Sequence, residues 1–396
     1  MRDVCLVVEG SYPRVTGGVA QWAHDLVTGM PSLSFSVAAL VPEDAPRLPH
    51  AYALPSNVEL VEIPFTVERG AGTRSLEAAL PEAAVYHSAA TGVPGVLATR
   101  VATARGRGSI VTEHGVSWDE ARRGMPGMCK GGIPGWVHHR VDQLPGGHAR
   151  SEWAELNMRL AQEAYAAADL VTGVSPWTVR LQRSLGARTS LLENGVRLGA
   201  AAAPVVERPA GDRPRIGFVG RVAPVKDLLT LIRAARIVAD EVPEVEVAIV
   251  GPLHHHPLYA ERCVEEARRL GLEGTVTFVG EDDPQRWYPL FDVLALTSVS
   301  EAQPLVALEA MAAGVPVVAT AVGGCPELVG GTGLLTAARD PRATARALTR
   351  LLSDPVLRAH AGAAGRSKVE ASHGLDATLA GYGRLYERAA ERTAQA

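Results

Sequence analysis

Lysine is nearly missing from this chain. Of 39 basic residues, all but Lys130, Lys226 and Lys368 are arginine. A lysine kept in such a background marks a place that wants a compact ammonium rather than a planar guanidinium. Aromatic residues are also scarce, at 5% of a chain that is 47% hydrophobic, so the cores must be built from leucine, valine and alanine. The four cysteines, Cys5, Cys129, Cys263 and Cys325, are scattered without pairing or metal-ligand spacing. That excludes a disulfide framework and fits a reducing, cytoplasmic setting. No apolar run reaches membrane-spanning length, and residues 1–8 are too short a run for a signal peptide. With a net charge of -4 and a pI near 6.3, the chain has no pull toward nucleic acid or an anionic membrane surface.

What is present is an alternation. At 396 residues the chain exceeds one ordinary domain, and two are expected. VCLVVEG at 4–10 reads as a short buried strand. It runs into the pair Gly17-Gly18, and helical spacing follows at Val19, Trp22, Ala23, Leu26 and Val27. The three spaced glycines of the dinucleotide fingerprint are absent. The pair reads either as a place where a ligand approaches the backbone or as a plain tight turn. Strands are expected at 35–40 and 58–63 and a helix near 84–104. SIVTEHG at 109–115 then delivers Glu113 and His114 to the carboxyl end of a strand, where ligands of open α/β sheets collect. Residues 116–150 are rich in glycine and proline and are expected to form no regular element, with a helix resuming at 152–168.

An Ala/Pro-rich linker at 198–213 separates this half from a second series. There a strand ends in Gly220, Arg221 and Lys226 follow, and further strands are expected at 245–251, 275–280 and 292–298. Helices close the half at 341–352 and 355–370, and a last one starts near Leu375. The alternation implies the α/β class, with two doubly wound parallel-sheet domains at 1–197 and 214–374 and a cleft lined by strand ends.

The second half holds the most informative stretch, SEAQPLVALEAMAAGVPVVAT at 300–320. Glu301 and Glu309 flank Gln303-Pro304-Leu305, and proline is tolerated at the first position of a helix. Glu301 is therefore expected on a loop just before a helix and Glu309 inside it. The free N–H groups of that helix start suit a phosphate. A loop carboxylate, an anion-binding helix start and a helix carboxylate together suit a sugar, a pyrophosphate and a ribose. The plainer reading is that both glutamates only favour a helix N-terminus. Consecutive His254, His255 and His256 diverge in direction and have no carboxylate at ligand spacing, so they read as a solvated loop and not as a metal site. Glu281-Asp282-Asp283 is a loop acid cluster and not an Asp-x-Asp metal motif, and no nucleophile elbow or Walker loop occurs.

Gly17-Gly18, GRVAPVKD at 220–227, ENGV at 193–196 and Glu301-x7-Glu309 resemble the retaining glycosyltransferases of family 4, which have the GT-B fold. EGSYPRVTGGVAQWAHDL, TEHG, VGRVAPVKD and SEAQPLVALEAMAAGVPVVAT are more narrowly similar to the cytosolic glycosyltransferases of Pel-type exopolysaccharide systems. The resemblance implies two Rossmann-like domains and a last helix, 375–396, that crosses back to the first. It also implies hexosyl transfer from a nucleotide sugar, UDP-glucose or a UDP-N-acetylhexosamine, to a polysaccharide or small-molecule acceptor. No cofactor or metal is implied, and a membrane-bound polysaccharide export complex is an implied partner. Arg221 and Lys226 would hold the donor pyrophosphate, Glu309 the ribose hydroxyls and Glu301 the sugar hydroxyls. The stretch Gln303, Pro304, Leu305 would offer amides to the donor, Gly17 and Gly18 a close backbone, and His114 a contact near the sugar 6-position. The catalytic set is then His114, Arg221, Lys226 and Glu301. After TEHG the sequence departs from the Pel-type pattern, and Trp118, Arg122 and Arg123 are assigned to the acceptor side. Two other classes fit the same architecture: a UDP-sugar 2-epimerase, and a non-catalytic nucleotide-sugar-sensing subunit.

Overall fold

The computed structural model describes residues 1–10, 12–42, 49–65, 74–122, 147–199 and 213–395. The chain divides into two compact units, Met1–Glu193 with Asp376–Ala396, and Asn194–Leu375. The expected linker at 198–213 falls almost wholly outside the described residues, as does most of 116–150.

The first unit is built on β1 (Arg2–Glu9), β2 (Phe35–Pro42), β3 (Val58–Phe65), β4 (Ala83–Ser88), β5 (Gly108–Glu113), β6 (Leu170–Gly173) and β7 (Thr189–Leu191). Their order in the sheet is β3-β2-β1-β4-β5-β6-β7, and every pairing is parallel. The crossovers carry α1 (Gly18–Gly29), α2 (Arg74–Ala79), α3 (Val93–Arg105), α4 (Ser117–Arg122), α5 (Gly147–Ala167) and α6 (Pro176–Ser184). Strand order reverses between β1 and β4, the kind of switch point where open sheets bind ligands.

Two expectations for this half need correction. The helix expected at 84–104 is a strand followed by a helix, β4 and α3. AAVYHS is buried on both faces, and a short apolar run of that kind cannot be told from helix by periodicity. Gly92, at φ 78, and Pro94 mark the true helix start. Residues 116–150 also contain regular structure: α4 opens them, and α5 begins at Gly147 rather than at 152. SWDEAR precedes the glycine-rich part, and Asp119 and Glu120 in the first turn suit the positive end of a helix.

The second unit has β8 (Arg215–Val219), β9 (Glu246–Val250), β10 (Val276–Gly280), β11 (Val293–Leu296), β12 (Val317–Thr320) and β13 (Leu334–Thr336). Their order is β10-β9-β8-β11-β12-β13, again all parallel, and the reversal lies between β8 and β11. Its helices are α7 (Leu228–Glu241), α8 (Pro257–Arg269), α9 (Leu305–Ala312), α10 (Cys325–Val329), α11 (Pro341–Ser353) and α12 (Pro355–Ser372). Leucines, valines and alanines from α7, β9 and α11 fill one core, with Ile216 and Phe218 of β8 among them.

The last helix, α13 (Leu375–Gln395), belongs to the first unit apart from its opening residue. Tyr382, Leu385, Tyr386 and Ala389 are buried with Leu6, Trp22, Leu26 and Phe35. Its seat is close: a Cβ at Gly29 would lie 2.3 Å from Leu379 Cδ1, and one at Gly108 2.3 Å from the Ala389 carbonyl oxygen. Among the described residues no helix is long and apolar enough to cross a membrane.

Deleting residues 376–396 should strip this cover from β1, β2 and α1 and lower the melting temperature steeply or yield insoluble protein. Tyr382→Ala should cost about 3–5 kcal/mol in a urea unfolding titration. A deletion protein that melts like the parent would contradict the packing.

Candidate functional site

In the second unit the site grows from two loops at the strand-order reversal. Gly220 ends β8 at φ 138, and Arg221 follows it. The chain then makes a 3₁₀ turn over Pro224–Lys226 and enters α7 through Asp227, which sits at φ 45. Asp227 accepts a hydrogen bond from Thr230 Oγ1 at 2.7 Å. The loop after β11 is stitched to this one. Thr297 Oγ1 donates to the carbonyls of Lys226 and Asp227 at 3.0 and 3.1 Å, and the Val299 N–H donates to the Val225 carbonyl at 2.8 Å. Across the joined loops Lys226 Nζ meets Glu301 Oε1 at 2.5 Å. Ser298 Oγ donates to the same oxygen at 2.7 Å. Glu301 is only 5% exposed, so the lysine is what makes its charge tolerable there.

The backbone of Glu301 is gripped as well. The Gly324 N–H donates to the Glu301 carbonyl at 3.0 Å. Gly323, at φ 57, comes so near that an added Cβ would lie 1.6 Å from that oxygen. Any side chain at 323 must push Glu301 aside. Sequence reading missed this pair, although a Gly-Gly on the loop between a strand and the next helix is the signal that picked out Gly17-Gly18.

Pro304 caps α9 rather than opening it, and Leu305 is the first helical residue, one later than expected. Glu309 is half-buried on the second turn and accepts a hydrogen bond from Tyr288 Oη at 2.5 Å. Gln303 is buried, and its Oε1 accepts the Asn194 N–H at 2.6 Å. The ENGV segment is thereby tied to the motif. Arg221 has His255 beside it, on the loop after β9. The solvated reading of the histidine triplet holds for exposed His254 but not for half-buried His255, whose imidazole is pushed down to about 3 by burial and then by the Arg221 charge. Among the described residues no cluster of histidine, cysteine and carboxylate side chains could hold a metal.

In the first unit, Gly17 and Gly18 lie on the loop after β1, at that sheet's own reversal, and Gly18 opens α1. A Cβ at Gly18 would meet nothing within 4 Å, so the backbone there is open. Half-buried His114 follows β5 and packs on Trp22 of α1, with ring centroids 4.3 Å apart. Beneath lies buried His87, bonded to Tyr386 Oη at 2.9 Å and Thr112 Oγ1 at 2.8 Å. Burial keeps it neutral, with its pKa pushed down to about 3. Glu113, next to His114, points into the core. It accepts hydrogen bonds from Thr91 Oγ1 at 2.9 Å, Gln182 Nε2 at 3.3 Å and Tyr165 Oη. Burial lifts its carboxyl to about 7 against these three bonds, each of which favours the ionised form. Trp118 is buried among Val116, Ala161 and Tyr165. Arg122 ends α4, and Arg123 lies outside the described residues.

The structure thus brings Lys226 to Glu301 in the second unit. Gln303, Pro304, Leu305 and Glu309 follow on the same loop and on α9, and Arg221 lies on the same loop as Lys226. Gly17, Gly18 and His114 belong to the first unit.

Residues 213–354 match the sequence model of the family described as "Glycosyl transferases group 1". Residues 2–76 and 70–190 match one described as a domain of unknown function, DUF3492. A D-inositol 3-phosphate glycosyltransferase of Streptomyces scabiei is 38% identical over 182 residues, which cover 43% of this chain and 41% of that protein. One of Corynebacterium urealyticum is 40% identical over 147 residues, 35% of each chain. The match thus spans less than half the length of these curated relatives. Among solved structures, Anabaena HepE in complex with UDP superposes with a TM-score of 0.72 at 18% identity, over 98% of this chain and 100% of that one. Sucrose-phosphate synthase from Thermosynechococcus elongatus does so with a TM-score of 0.70 at 23% identity, over 98% and 99%. The fold is that of the GT-B glycosyltransferases, two Rossmann-like parallel-sheet domains.

The Glu113 carboxyl gives a pH signature. Its native pKa of about 7 lies above the unfolded value of about 4.3, so the native state holds the extra proton between them. Glu113 therefore makes the protein lose stability as pH rises from about 4.3 to 7 and contributes no slope above 7. Glu113→Gln should flatten the fall of melting temperature across that window. An unchanged pH profile would show that the carboxyl stays ionised on its three donors.

Proposed function

We propose that this protein is a retaining glycosyltransferase that moves a hexosyl group from a UDP-sugar, UDP-glucose or a UDP-N-acetylhexosamine, to a hydroxyl of a carbohydrate or small-molecule acceptor, in the cytoplasm and without a metal. The observation that carries the reading is the Lys226–Glu301 pair at the strand-order reversal, with Glu309 on the second turn of the helix that follows. Cleavage of a nucleotide sugar builds negative charge on the leaving pyrophosphate. Arg221, Lys226 and the first N–H groups of α9 are the positive groups that would oppose it. In the free protein Lys226 is neutralised by Glu301. A bound donor would engage Lys226 through phosphate and Glu301 through sugar hydroxyls, exchanging one internal ion pair for two ligand contacts. Glu309 would take the ribose hydroxyls, Gln303, Pro304 and Leu305 would flank the phosphates, and His114 would meet the sugar. No carboxylate is assigned as nucleophile. The leaving phosphate is the base that accepts the acceptor proton on the same face of the sugar.

The names of the curated relatives favour a phosphorylated polyol as acceptor, which Arg122 and Arg123 would suit. The motif resemblance to Pel-type enzymes favours a polysaccharide, with a membrane-bound export complex as its partner.

The two carboxylates should fail differently. Glu309→Ala should weaken UDP and UDP-sugar alike, by roughly 1.5–3 kcal/mol for lost charge-assisted hydrogen bonds. Glu301→Ala should leave UDP affinity nearly intact and lower turnover, because the lost contact orients the sugar. Calorimetric titration of UDP into both variants decides it, and the reverse pattern would exchange the roles. If both variants still bind UDP and transfer sugar, the motif is only a helix start.

Transfer should also survive a strong chelator. Lys226→Ala should cut the rate by roughly one hundredfold or more. Activity lost in EDTA and restored by magnesium or manganese would show that a metal supplies the positive charge.

A further inference from the structure

Glu309 does not hold its position alone. Tyr288 lies on the 3₁₀ turn Tyr288–Leu290, between β10 and β11, and is 1% exposed. Its ring packs edge-on against Phe291 at 6.3 Å and 90°. The turn is fixed at its far end by Asp292, whose Oδ2 accepts the Arg215 N–H at 2.7 Å and whose own N–H donates to the Arg215 carbonyl at 2.9 Å. The phenol has little freedom, and its hydroxyl donates to Glu309 Oε2 at 2.5 Å. That distance is at the short limit for a hydroxyl on an ionised carboxylate.

A glutamate near a surface spreads over many rotamers, and its terminal torsion is broad. Catching one carboxylate oxygen on a buried, rigid donor selects a single setting before any ligand arrives. The bond also favours the charged form, which is the form that accepts hydrogen bonds from two neighbouring hydroxyls.

We propose that Tyr288 is a positioning residue for the nucleoside part of the ligand, presetting the Glu309 carboxylate for a ribose 2′,3′-diol. The inference rests on the donor reading above and makes it narrower. The site should discriminate ribonucleoside from 2′-deoxyribonucleoside diphosphates, and Tyr288 should be one source of that discrimination.

The test titrates UDP and 2′-deoxyuridine diphosphate into the full chain, into Tyr288→Phe, into Glu309→Gln and into the double variant. Tyr288→Phe keeps the ring packing and removes only the hydroxyl. It should weaken UDP about tenfold, equivalent to about 1.4 kcal/mol, and 2′-deoxyuridine diphosphate less than about twofold. The preference for the ribose form should therefore shrink. In the double variant the two losses should fall well short of additive, since both act on one contact. Equal weakening of both ligands would mean that Tyr288 only supports the loop, and would overturn this inference while leaving the donor reading intact. Failure of the unaltered protein to bind UDP would overturn both. A melting curve for each variant separates either result from misfolding.

Discussion

The site in the second unit depends on one ion pair between buried Glu301 and half-buried Lys226. Lys226 and Glu301 are 75 residues apart in sequence and meet only because β8 and β11 are neighbours at the place where strand order reverses. Crossovers leave to opposite sides there, and the loops that follow the two strands are hydrogen-bonded to each other. The ion pair joins their side chains. Removing either partner would leave an uncompensated charge in a mostly dry setting, a loss of about 3–5 kcal/mol in comparable pairs. Around it the backbone is stitched by Thr297, Val299 and the glycines at 323 and 324, so the carboxylate is held by its main chain as well as by its charge. A pair that is both expensive to open and firmly placed suits a ligand that offers an anionic group to the lysine and hydroxyls to the carboxylate.

The first unit solves the same problem of polar groups in an apolar core differently. It uses neutral or hydrogen-bonded groups rather than ion pairs. His87 is bridged between Tyr386 and Thr112, and Thr112 Oγ1 pairs with Thr172 Oγ1 at 2.7 Å. Glu113 ties Thr91, Tyr165 and Gln182, from three different segments, to the end of β5. These contacts fix the strand end that carries His114 and leave the loop at Gly17 and Gly18 uncluttered.

The fold was legible wherever a local signal was strong. Strands that run into glycine, such as β1 and β8, and the helix after Gln303-Pro304 stand where the residues implied. AAVYHS was misread because two-sided burial erases the alternation that marks a strand. The spacing of Glu301 and Glu309 was readable because helix geometry makes short spacing meaningful. Tyr288, Ser298 and Gly323 were not, although each touches one of those glutamates. Tyr288 reaches Glu309 from another segment, and a near approach such as Gly323 to a carbonyl oxygen exists only once the chain has folded. Trp118, assigned from its neighbourhood in sequence, is buried among Val116, Ala161 and Tyr165.

The ownership of α13 has a consequence for how the molecule is made. The first unit opens the chain, yet the helix that covers β1, β2 and α1 is translated only after all of Asn194–Leu375. At roughly 5–20 residues per second that interval lasts about ten to forty seconds. Through it the nascent sheet presents an apolar groove shaped for Tyr382 and Tyr386, while the inserted unit has everything it needs to fold at once. Vectorial synthesis thus completes the inner segment before the outer one.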